Sequence, residues 1–196
     1  MGTYERAKRR TKDKIRQAFW ELYKIRKIEK ITVKDIAEGC QIHRATFYLH
    51  YSDVYEILEE IEEKLLKELY EIRKEYIENQ KNLEQFTTAN YSLYQKNWEY
   101  LHYLLREQKD PEFAACYKNE MMSVLQHIFQ IDFDGLDVKV SAIVEMTLFG
   151  IIDMFIFWAD ELQFSYENMV EVIHGYMQDG ITPTLAKAYG ISLHLP

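Results

Sequence analysis

The residues with the most evident chemistry in this sequence are basic, and they lie among the first fifty residues. Residues 1–50 contain 13 Lys and Arg against 6 Asp and Glu, a net charge of +7, whereas residues 51–196 contain 11 against 26, a net charge of −15. A basic segment joined to an acidic one is typical of a nucleic-acid-binding domain attached to a second domain. A basic face on an ordinary solvated helix would produce the same excess, so the spacing of the residues has to separate the two interpretations.

Other kinds of site find little support in the sequence. We find no Gly-rich phosphate loop, no nucleophile elbow and no clustered metal ligands, so we predict no enzyme activity, no metal and no cofactor. Cys40 and His43 have the spacing of half a zinc site, but no second pair lies nearby. Cys40 and Cys116 form no disulfide framework, which together with the absence of a signal peptide predicts a cytoplasmic protein. The most apolar stretch, residues 146–158, is interrupted by Asp153, and we interpret it as a buried helix rather than a membrane span.

The elements that carry the basic residues are predicted to be helices. The chain has only 3 Pro and 7 Gly, which favours helices with short connections over a sandwich or barrel. Thr11 is predicted to cap a first helix with one apolar face, formed by Ile15, Ala18, Phe19 and Leu22. Three basic residues crowd its first turns: Lys12, Lys14 and Arg16. Because cations oppose the helix dipole at an N-terminus, this crowding indicates an external anion.

A second short helix is predicted over residues 33–38. Thr32 caps it, and Asp35 supplies the acidic half of a capping box. Gly39 is predicted to end the helix at positive φ, and Ile42 to lie in the core beneath the turn that follows.

A third helix is predicted over residues 44–51, with His43 as its cap. Its two faces differ: Phe47 and Tyr51 lie on one, and Arg44, Ala45 and Tyr48 on the other. Two short helices joined by a tight turn, after a longer supporting helix, form a helix-turn-helix.

The segment ITVKDIAEGCQIHRATFYLHYSDVYEIL closely resembles the DNA-binding signature of the tetracycline-repressor (TetR/AcrR) family of transcriptional regulators. The TVKDIA run, the Gly before the turn, the ATFYxHY recognition helix and the acidic-apolar run after it match in order and spacing. The resemblance covers Thr11 to Leu58, about a quarter of the chain. It implies an all-α fold of about nine helices, with a helix-turn-helix DNA-binding domain at residues 1–52 and a helical effector-binding and dimerisation domain at residues 53–196.

The resemblance also implies roles for individual residues. Arg44 and Ala45 would face base edges in the major groove, where Arg suits guanine and Ala the thymine methyl group. Phosphate contacts would come from Thr32, Lys34, Thr46, Tyr48 and His50. A basic arm would add phosphate or minor-groove contacts through Lys8, Arg9, Arg10 and Lys12. The sequence departs from the family at Val54, where a phosphate-binding Lys is usual, so either this contact is missing or the basic arm replaces it.

The rest of the chain is predicted to form further helices. A long helix begins near Asp53, capped by Ser52 or Asp53, and carries apolar residues at helical spacing: Leu58, Ile61, Leu65, Ile72 and Tyr76. In the family this helix acts as a lever between the two domains. Later helices are predicted over residues 86–97 and 98–107, after a cap at Asp110, over residues 138–161, and over residues 166–178 with Gly180 ending the last.

The last two predicted helices are the candidates for dimerisation, since the corresponding pair forms a four-helix bundle in the family. The predicted interface residues are Ile143, Met146, Gly150, Met154, Phe157, Trp158, Met169, Val172, Ile173 and Tyr176. The alternative is that these residues fill the core of one protomer, and both can hold. A two-fold dimer predicts a palindromic operator with half-sites about one DNA turn apart.

The second domain is rich in aromatic residues, which predicts a cavity for an apolar or aromatic small-molecule effector. The candidate lining residues are Tyr91, Tyr94, Trp98, Tyr103, Phe113, Tyr117, Met121, Phe149, Asp153 and Phe155. Ordinary core packing is the alternative for each of them. Asp153 and Glu145 interrupt an apolar helix and would either meet a cationic ligand or face water.

The sequence therefore predicts a ligand-responsive repressor that binds double-stranded DNA as a homodimer and is released by a small effector. The alternative is a helical protein that regulates through protein partners without touching DNA.

Overall fold

The computed structural model describes residues 2–79, 83–129, 137–154 and 165–189. Within these ranges the regular structure is helical and contains no strand, so the all-α prediction is confirmed. The chain divides into two compact units, residues 1–65 and 66–196. No helix within the described ranges is long and apolar enough to cross a membrane.

The first unit contains three helices and the start of a fourth: α1 (Thr3–Tyr23), α2 (Val33–Gly39), α3 (Arg44–Tyr48) and α4 (Tyr55–Glu78), with a 3₁₀ turn at Ile28–Lys30. Every one of these helices contributes a side chain with no exposed surface to a common core, made by Ile15, Phe19, Ile36, Phe47 and Ile57. Helix α1 supports α2, and α2 supports α3.

Helix α1 begins eight residues before the predicted cap, so the prediction for Thr11 is wrong. The hydroxyl of Thr11 instead donates to the carbonyl of Ala7, 3.1 Å away. Residues 4–10 are mostly good helix formers without Gly or Pro, which lets the helix extend to Thr3. Lys12 and Arg16 consequently lie in the middle of the helix, where the dipole argument for an external anion does not apply.

The capping box at the start of α2 is confirmed. The backbone N–H of Asp35 donates to the Thr32 hydroxyl at 3.2 Å, and the backbone N–H of Thr32 donates to the Asp35 carboxylate at 3.0 Å. Together these bonds satisfy two N–H groups that the helix itself leaves unpaired.

The prediction that Gly39 ends α2 at positive φ is wrong. Gly39 is the last residue of the helix, and the residue at positive φ is Gln41, with φ of 56°. The N–H of Ile42 donates to the carbonyl of Ala37 at 2.9 Å, and the N–H of Gln41 donates to that of Glu38 at 3.2 Å. This pair of bonds is a Schellman motif, which requires the left-handed residue two positions after Gly39.

Helix α3 ends at Tyr48, earlier than predicted. His43 lies at its N-cap position as expected, but its side chain makes no capping hydrogen bond. The predicted buried face is confirmed by Phe47 and Tyr51, both almost fully buried. Asp53 then accepts hydrogen bonds from the backbone N–H groups of Tyr55 and Glu56 at 2.8 and 3.1 Å, which confirms it as the cap of α4.

The described helices of the second unit follow α4 in the order α5 (Leu83–His102), a π-helical turn (Tyr103–Glu107), α6 (Pro111–Phe129), α7 (Val138–Asp153), α8 (Tyr166–Gly175), a second π-helical turn (Tyr176–Ile181) and α9 (Thr182–Tyr189). The predicted division after Asn97 is present as a break within α5, where Asn97 has φ of −121° and ψ of 19°. The Asp110 cap is confirmed, since its carboxylate accepts from the N–H groups of Glu112 and Phe113 at 3.0 Å each.

The prediction that Gly180 ends the last helix is wrong. Gly180 lies inside the second π-helical turn, and the chain continues as α9 to Tyr189. The hydroxyl of Thr182 donates to the carbonyl of Met177 at 2.6 Å, and Pro183 falls in the first turn of α9. The predicted helix over residues 138–161 is described only as far as Met154.

Candidate nucleic-acid interface

The outer face of α3 is exposed and the inner face is anchored. Arg44 and Ala45 are exposed, and Tyr48 keeps 52% of its surface. Phe47 is fully buried beneath them, and its ring contacts that of Tyr48 edge to face with 5.6 Å between centroids. The anchor fixes the direction in which Arg44, Ala45 and Tyr48 project, as a recognition surface requires.

At the start of α2, the two residues predicted to contact phosphate differ. The Thr32 hydroxyl donates to the Asp35 carboxylate at 2.7 Å, and this bond lowers the pKa of Asp35. Lys34 is exposed and has only a loose ion pair with Glu38, 3.8 Å away and open to solvent, so little holds its ammonium group in place. Of the two side chains, that of Lys34 is therefore the more available to contact a phosphate group.

The charges of two lysines of α1 act on His50, just beyond α3. Burial lowers the pKa of His50, and the positive charges of Lys8 and Lys12 lower it further. Its Nδ1 atom is buried and has no hydrogen-bond partner among the described residues. His50 is thus favoured as a neutral ring within a basic neighbourhood.

The position at which the family usually has a Lys is buried. Val54 is 7% exposed and belongs to the apolar core of the first unit. Val54 therefore presents no group to a phosphate, and the cations whose charges act on nearby His50 are Lys8 and Lys12.

The predicted basic arm belongs to helix α1, and its members are not equivalent. Lys8, Arg9 and Arg10 are exposed. Lys12 pairs with Glu60 of α4 at 2.6 Å, and its ammonium group lies 5.0 Å from the centroid of the Tyr51 ring.

Glu60 also pairs with a second residue of α1. Its other carboxylate oxygen is 3.0 Å from the guanidinium of Arg16, which in turn pairs with Asp13. Burial alone would raise the pKa of Glu60, but Lys12 and Arg16 outweigh it and the pKa is lowered. Burial and then the charge of Glu60 raise the pKa of Tyr51. The Lys12–Glu60–Arg16 cluster is therefore held as ion pairs.

Sequence reasoning missed three residues of this surface. Leu49 is 77% exposed directly after Tyr48, Gln41 holds the strained turn before α3, and Glu60 binds two of the basic residues. A signal for Leu49 was available, since an apolar residue on the outward side of a short helix has no place in the core. No local signal marks Glu60, which lies 44 residues from Arg16.

The residues predicted to line an effector cavity do not share one environment. Tyr94, Phe113, Tyr117 and Met121 are buried, and burial raises the pKa of Tyr117 to about 12. Three others are exposed or partly exposed on the second unit: Trp98, Phe149 and Asp153. Tyr91 and Tyr103 are half-buried. Phe155 lies outside the described residues.

A small apolar cavity lies between α5, α6, α7 and α8. Its volume is about 30 Å³, and Met121 is the predicted pocket residue that lines it. The full lining is Phe86, Thr87, Met121, Val124, Leu125, Ile128, Leu148, Ile151, Ile173 and Met177. Pockets for drug-sized ligands measure about 300–1,000 Å³, so this cavity is far smaller than such a pocket.

The predicted dimer residues divide between core and surface. Met154, Met169 and Ile173 are buried within the second unit, whereas Met146, Gly150, Val172 and Tyr176 are exposed and Ile143 is half-buried. An open groove of about 300 Å³ runs between α7 and α8, lined by Gly150, Ile151, Asp153, Met154, Val172, Ile173 and Tyr176. Phe157 and Trp158 lie outside the described residues. Glu145 pairs with Lys118 at 3.0 Å and thus has a partner within the protein.

The arrangement of α1, α2 and α3 defines a helix-turn-helix unit within an all-α chain, and comparison with solved structures identifies the fold. A crystal structure of a TetR transcriptional regulator from Streptococcus agalactiae 2603V is similar over 87% of this chain and 94% of that chain, with a TM-score of 0.62 and 22% sequence identity. A structure of the dihydroxyacetone kinase operon activator DhaS is similar over 93% of this chain and 98% of that chain, with a TM-score of 0.48 and 20% identity. No family model and no curated protein matches the sequence. The chain therefore has the fold of a TetR transcriptional regulator, as the resemblance of residues 11–58 predicts.

Proposed function

We propose that this protein is a transcriptional regulator that binds double-stranded DNA through α3. The observation that carries the proposal is the outward face of that helix, where Arg44, Ala45 and Tyr48 are exposed above a fully buried Phe47. An Arg and an Ala side by side offer a bidentate donor for guanine and an apolar contact for a thymine methyl group. The TetR-regulator fold of the chain supports the same assignment.

The phosphate contacts in this proposal surround α3. Lys34 lies at the start of α2, Thr46 and Tyr48 lie on α3, and the exposed Lys8 lies on α1. These groups set the register and affinity on DNA, whereas Arg44 and Ala45 choose the sequence. Thr32 contributes mainly by capping α2, since its hydroxyl is bonded to Asp35.

Selection of the sequences that the protein binds from a pool of random duplex DNA tests the proposal. We expect a palindromic site to be enriched, with binding that weakens steeply as salt is raised. The double variant Arg44→Ala, Tyr48→Ala should lose specific binding, while Tyr70→Ala, at an exposed tyrosine of the second unit, should keep it. Retained specific binding in the double variant, or no enrichment with the wild-type protein, would reject α3 as the reading helix. The second of these results would favour the alternative of regulation through protein partners.

We also propose that the protein acts as a homodimer through the exposed face of α7 and α8. This face carries apolar side chains that no described neighbour covers, with Met146 72% and Phe149 61% exposed and Val172 and Tyr176 beside them. Gly150 lies in α7 and Gly175 in α8, and an added Cβ at either would meet open space. A Gly in a helix costs about 0.5–1 kcal/mol relative to Ala, and nothing within the protomer explains that cost here. Close approach of a helix from a second copy of the chain would explain the two glycines.

The glycines provide a sharp test of the dimer. If the face is free, Gly150→Ala and Gly175→Ala will raise the free energy of unfolding without changing the oligomeric state. If a partner helix packs there, the same changes will weaken the dimer in sedimentation equilibrium. Phe149→Glu should dissociate it, and Ile25→Lys, at an exposed apolar residue of the first unit, should leave it intact. A wild-type monomer at all concentrations would overturn the proposal.

We propose finally that a small apolar or aromatic effector releases the protein from DNA, so that it acts as a repressor. The support is the concentration of aromatic side chains on α5 and α6 and the apolar cavity beside them. An effector must bind one conformation more tightly than another to change DNA affinity, and a cavity of only about 30 Å³ fits the state without effector. Titration with neutral aromatic compounds and organic cations, followed by Trp fluorescence and DNA release, tests this step. A broad panel that neither changes fluorescence nor releases DNA would reject it.

A further inference from the structure

Two lysines of α1, Lys8 and Lys12, differ in one respect. Lys8 and Lys12 are four residues apart on α1, so their side chains lie on the same face of that helix. Lys8 is exposed and has no ion-pair partner among the described residues. Lys12 is paired with Glu60 at 2.6 Å. The two lysines are therefore close in space but unequal in availability to an anion.

Glu60 is placed to compete with a phosphate group. Its carboxylate bonds Lys12 through one oxygen and Arg16 through the other, and about a third of its side chain remains exposed. A DNA phosphate group would pair with the same ammonium and guanidinium groups through two of its oxygens, as the carboxylate of Glu60 does. Glu60 lies on α4, whereas both of its partners lie on α1. The pairing therefore depends on how these two helices pack.

We propose that Glu60 is a positioning residue that withholds Lys12 from DNA, so that of these two lysines Lys8 alone contacts a phosphate group. Glu60 acts through Lys12 and does not itself touch DNA. The inference rests on the proposed DNA binding and adds to it the number of α1 lysines that each protomer uses. Any change that separates α4 from α1 at Glu60 would release Lys12 and strengthen binding.

The slope of log K against log salt concentration tests the proposal, because each phosphate neutralised adds about 0.9 to its magnitude. In the wild-type background, Lys8→Gln should lower the magnitude by about 0.9 per protomer, and Lys12→Gln should leave it unchanged. Glu60→Gln should tighten binding and raise the magnitude by about 0.9 per protomer, and adding Lys12→Gln to it should remove that gain.

Glu63→Gln is the matched control, since it removes the same charge from an exposed position one turn further along α4. Circular dichroism of each variant confirms that the helices are retained. If Glu60→Gln fails to fold, the two single lysine variants still decide the matter. Equal losses of slope in Lys8→Gln and Lys12→Gln would overturn the proposal, as would equal effects of Glu60→Gln and Glu63→Gln. A wild-type protein that binds no duplex would overturn the DNA-binding function and this inference together.

Discussion

The two units of this chain differ in where they keep polar groups and irregular backbone. Five buried Thr and Asn residues lie in the described part of the second unit and none in that of the first: Thr87, Asn90, Asn97, Thr147 and Thr182. The described part of the second unit also has two π-helical turns, a break in α5 and a residue at positive φ, Lys109, whereas that of the first unit has a 3₁₀ turn at Ile28–Lys30 and one residue at positive φ, Gln41. A recognition surface needs a rigid scaffold, while π-helical turns are frequent at functional sites within helices. The more regular backbone of the first unit suits a scaffold that holds one surface in place.

The largest expected effect comes from removing the anchor of the first unit. Phe47→Ala deletes a fully buried ring of α3 and should lower the free energy of unfolding by about 3–5 kcal/mol. Urea denaturation followed by circular dichroism measures the change. Tyr48→Ala, at the adjacent exposed residue, should cost less than about 1 kcal/mol. Similar losses in the free energy of unfolding for the two variants would show that Phe47 does not anchor a rigid core in the first unit.

A smaller effect is expected at the break in α5 of the second unit. The Asn97 amide donates to Glu68 of α4 at 3.0 Å and to the carbonyl of Leu93 at 3.2 Å. Asn97→Ala removes these bonds beside a largely buried carboxylate and should lower the free energy of unfolding by about 1–3 kcal/mol. Lys96→Ala removes the neighbouring, exposed partner of Glu68 and should cost less than about 1 kcal/mol. An Asn97→Ala variant as stable as the wild-type protein would mean that the polar contact does not hold the break.

Relief of strain is expected to stabilise the first unit slightly. Gln41 has φ of 56°, a region in which a side chain costs about 1–2 kcal/mol and Gly costs little. Gln41→Gly should therefore raise the free energy of unfolding by about 0.5–1 kcal/mol after the greater entropy of the unfolded Gly is subtracted. Gln41→Ala, which keeps a Cβ, should leave stability close to that of the wild-type protein. A stabilising Ala and a neutral Gly would contradict this account of the turn.

The smallest expected effect is a pH dependence of the first unit. Burial and the lysine charges lower the pKa of His50, so the folded state favours the neutral ring, and its contribution to stability is present above about pH 6.5 and lost below it. The pKa of Glu60 is lowered by its basic partners, so its contribution is present above about pH 4.3 and lost as the pH falls further. His50→Gln should flatten the upper part of the stability curve and Glu60→Gln the lower part. Unchanged curves in both variants would contradict these assignments.

Local features of the fold were predictable because they depend on residues within one or two helical turns. The Thr32–Asp35 capping box, the Asp110 cap and the buried faces of α3 and α6 follow from side chains that contact their own backbone or share one stripe. The start of α1 and the position of the left-handed residue were predicted wrongly for a physical reason. Residues that often cap helices, such as Thr11, also occur inside them. The left-handed residue of a Schellman motif is set by where the helix ends, and here that residue is Gln41 rather than Gly39.

The sequence by itself indicated a candidate reading face through residue type, since Phe47 is of a type that is usually buried whereas Arg44 is of a type that is usually exposed. It could not determine which basic residues of α1 are available to DNA, because net charge does not record pairing. That was decided by the packing of α4 against α1, which brings Glu60 to Lys12 and Arg16 across more than forty residues and leaves Lys8 exposed. Ion pairs between helices depend on the distance and rotation of two separate elements, and only the tertiary structure sets these.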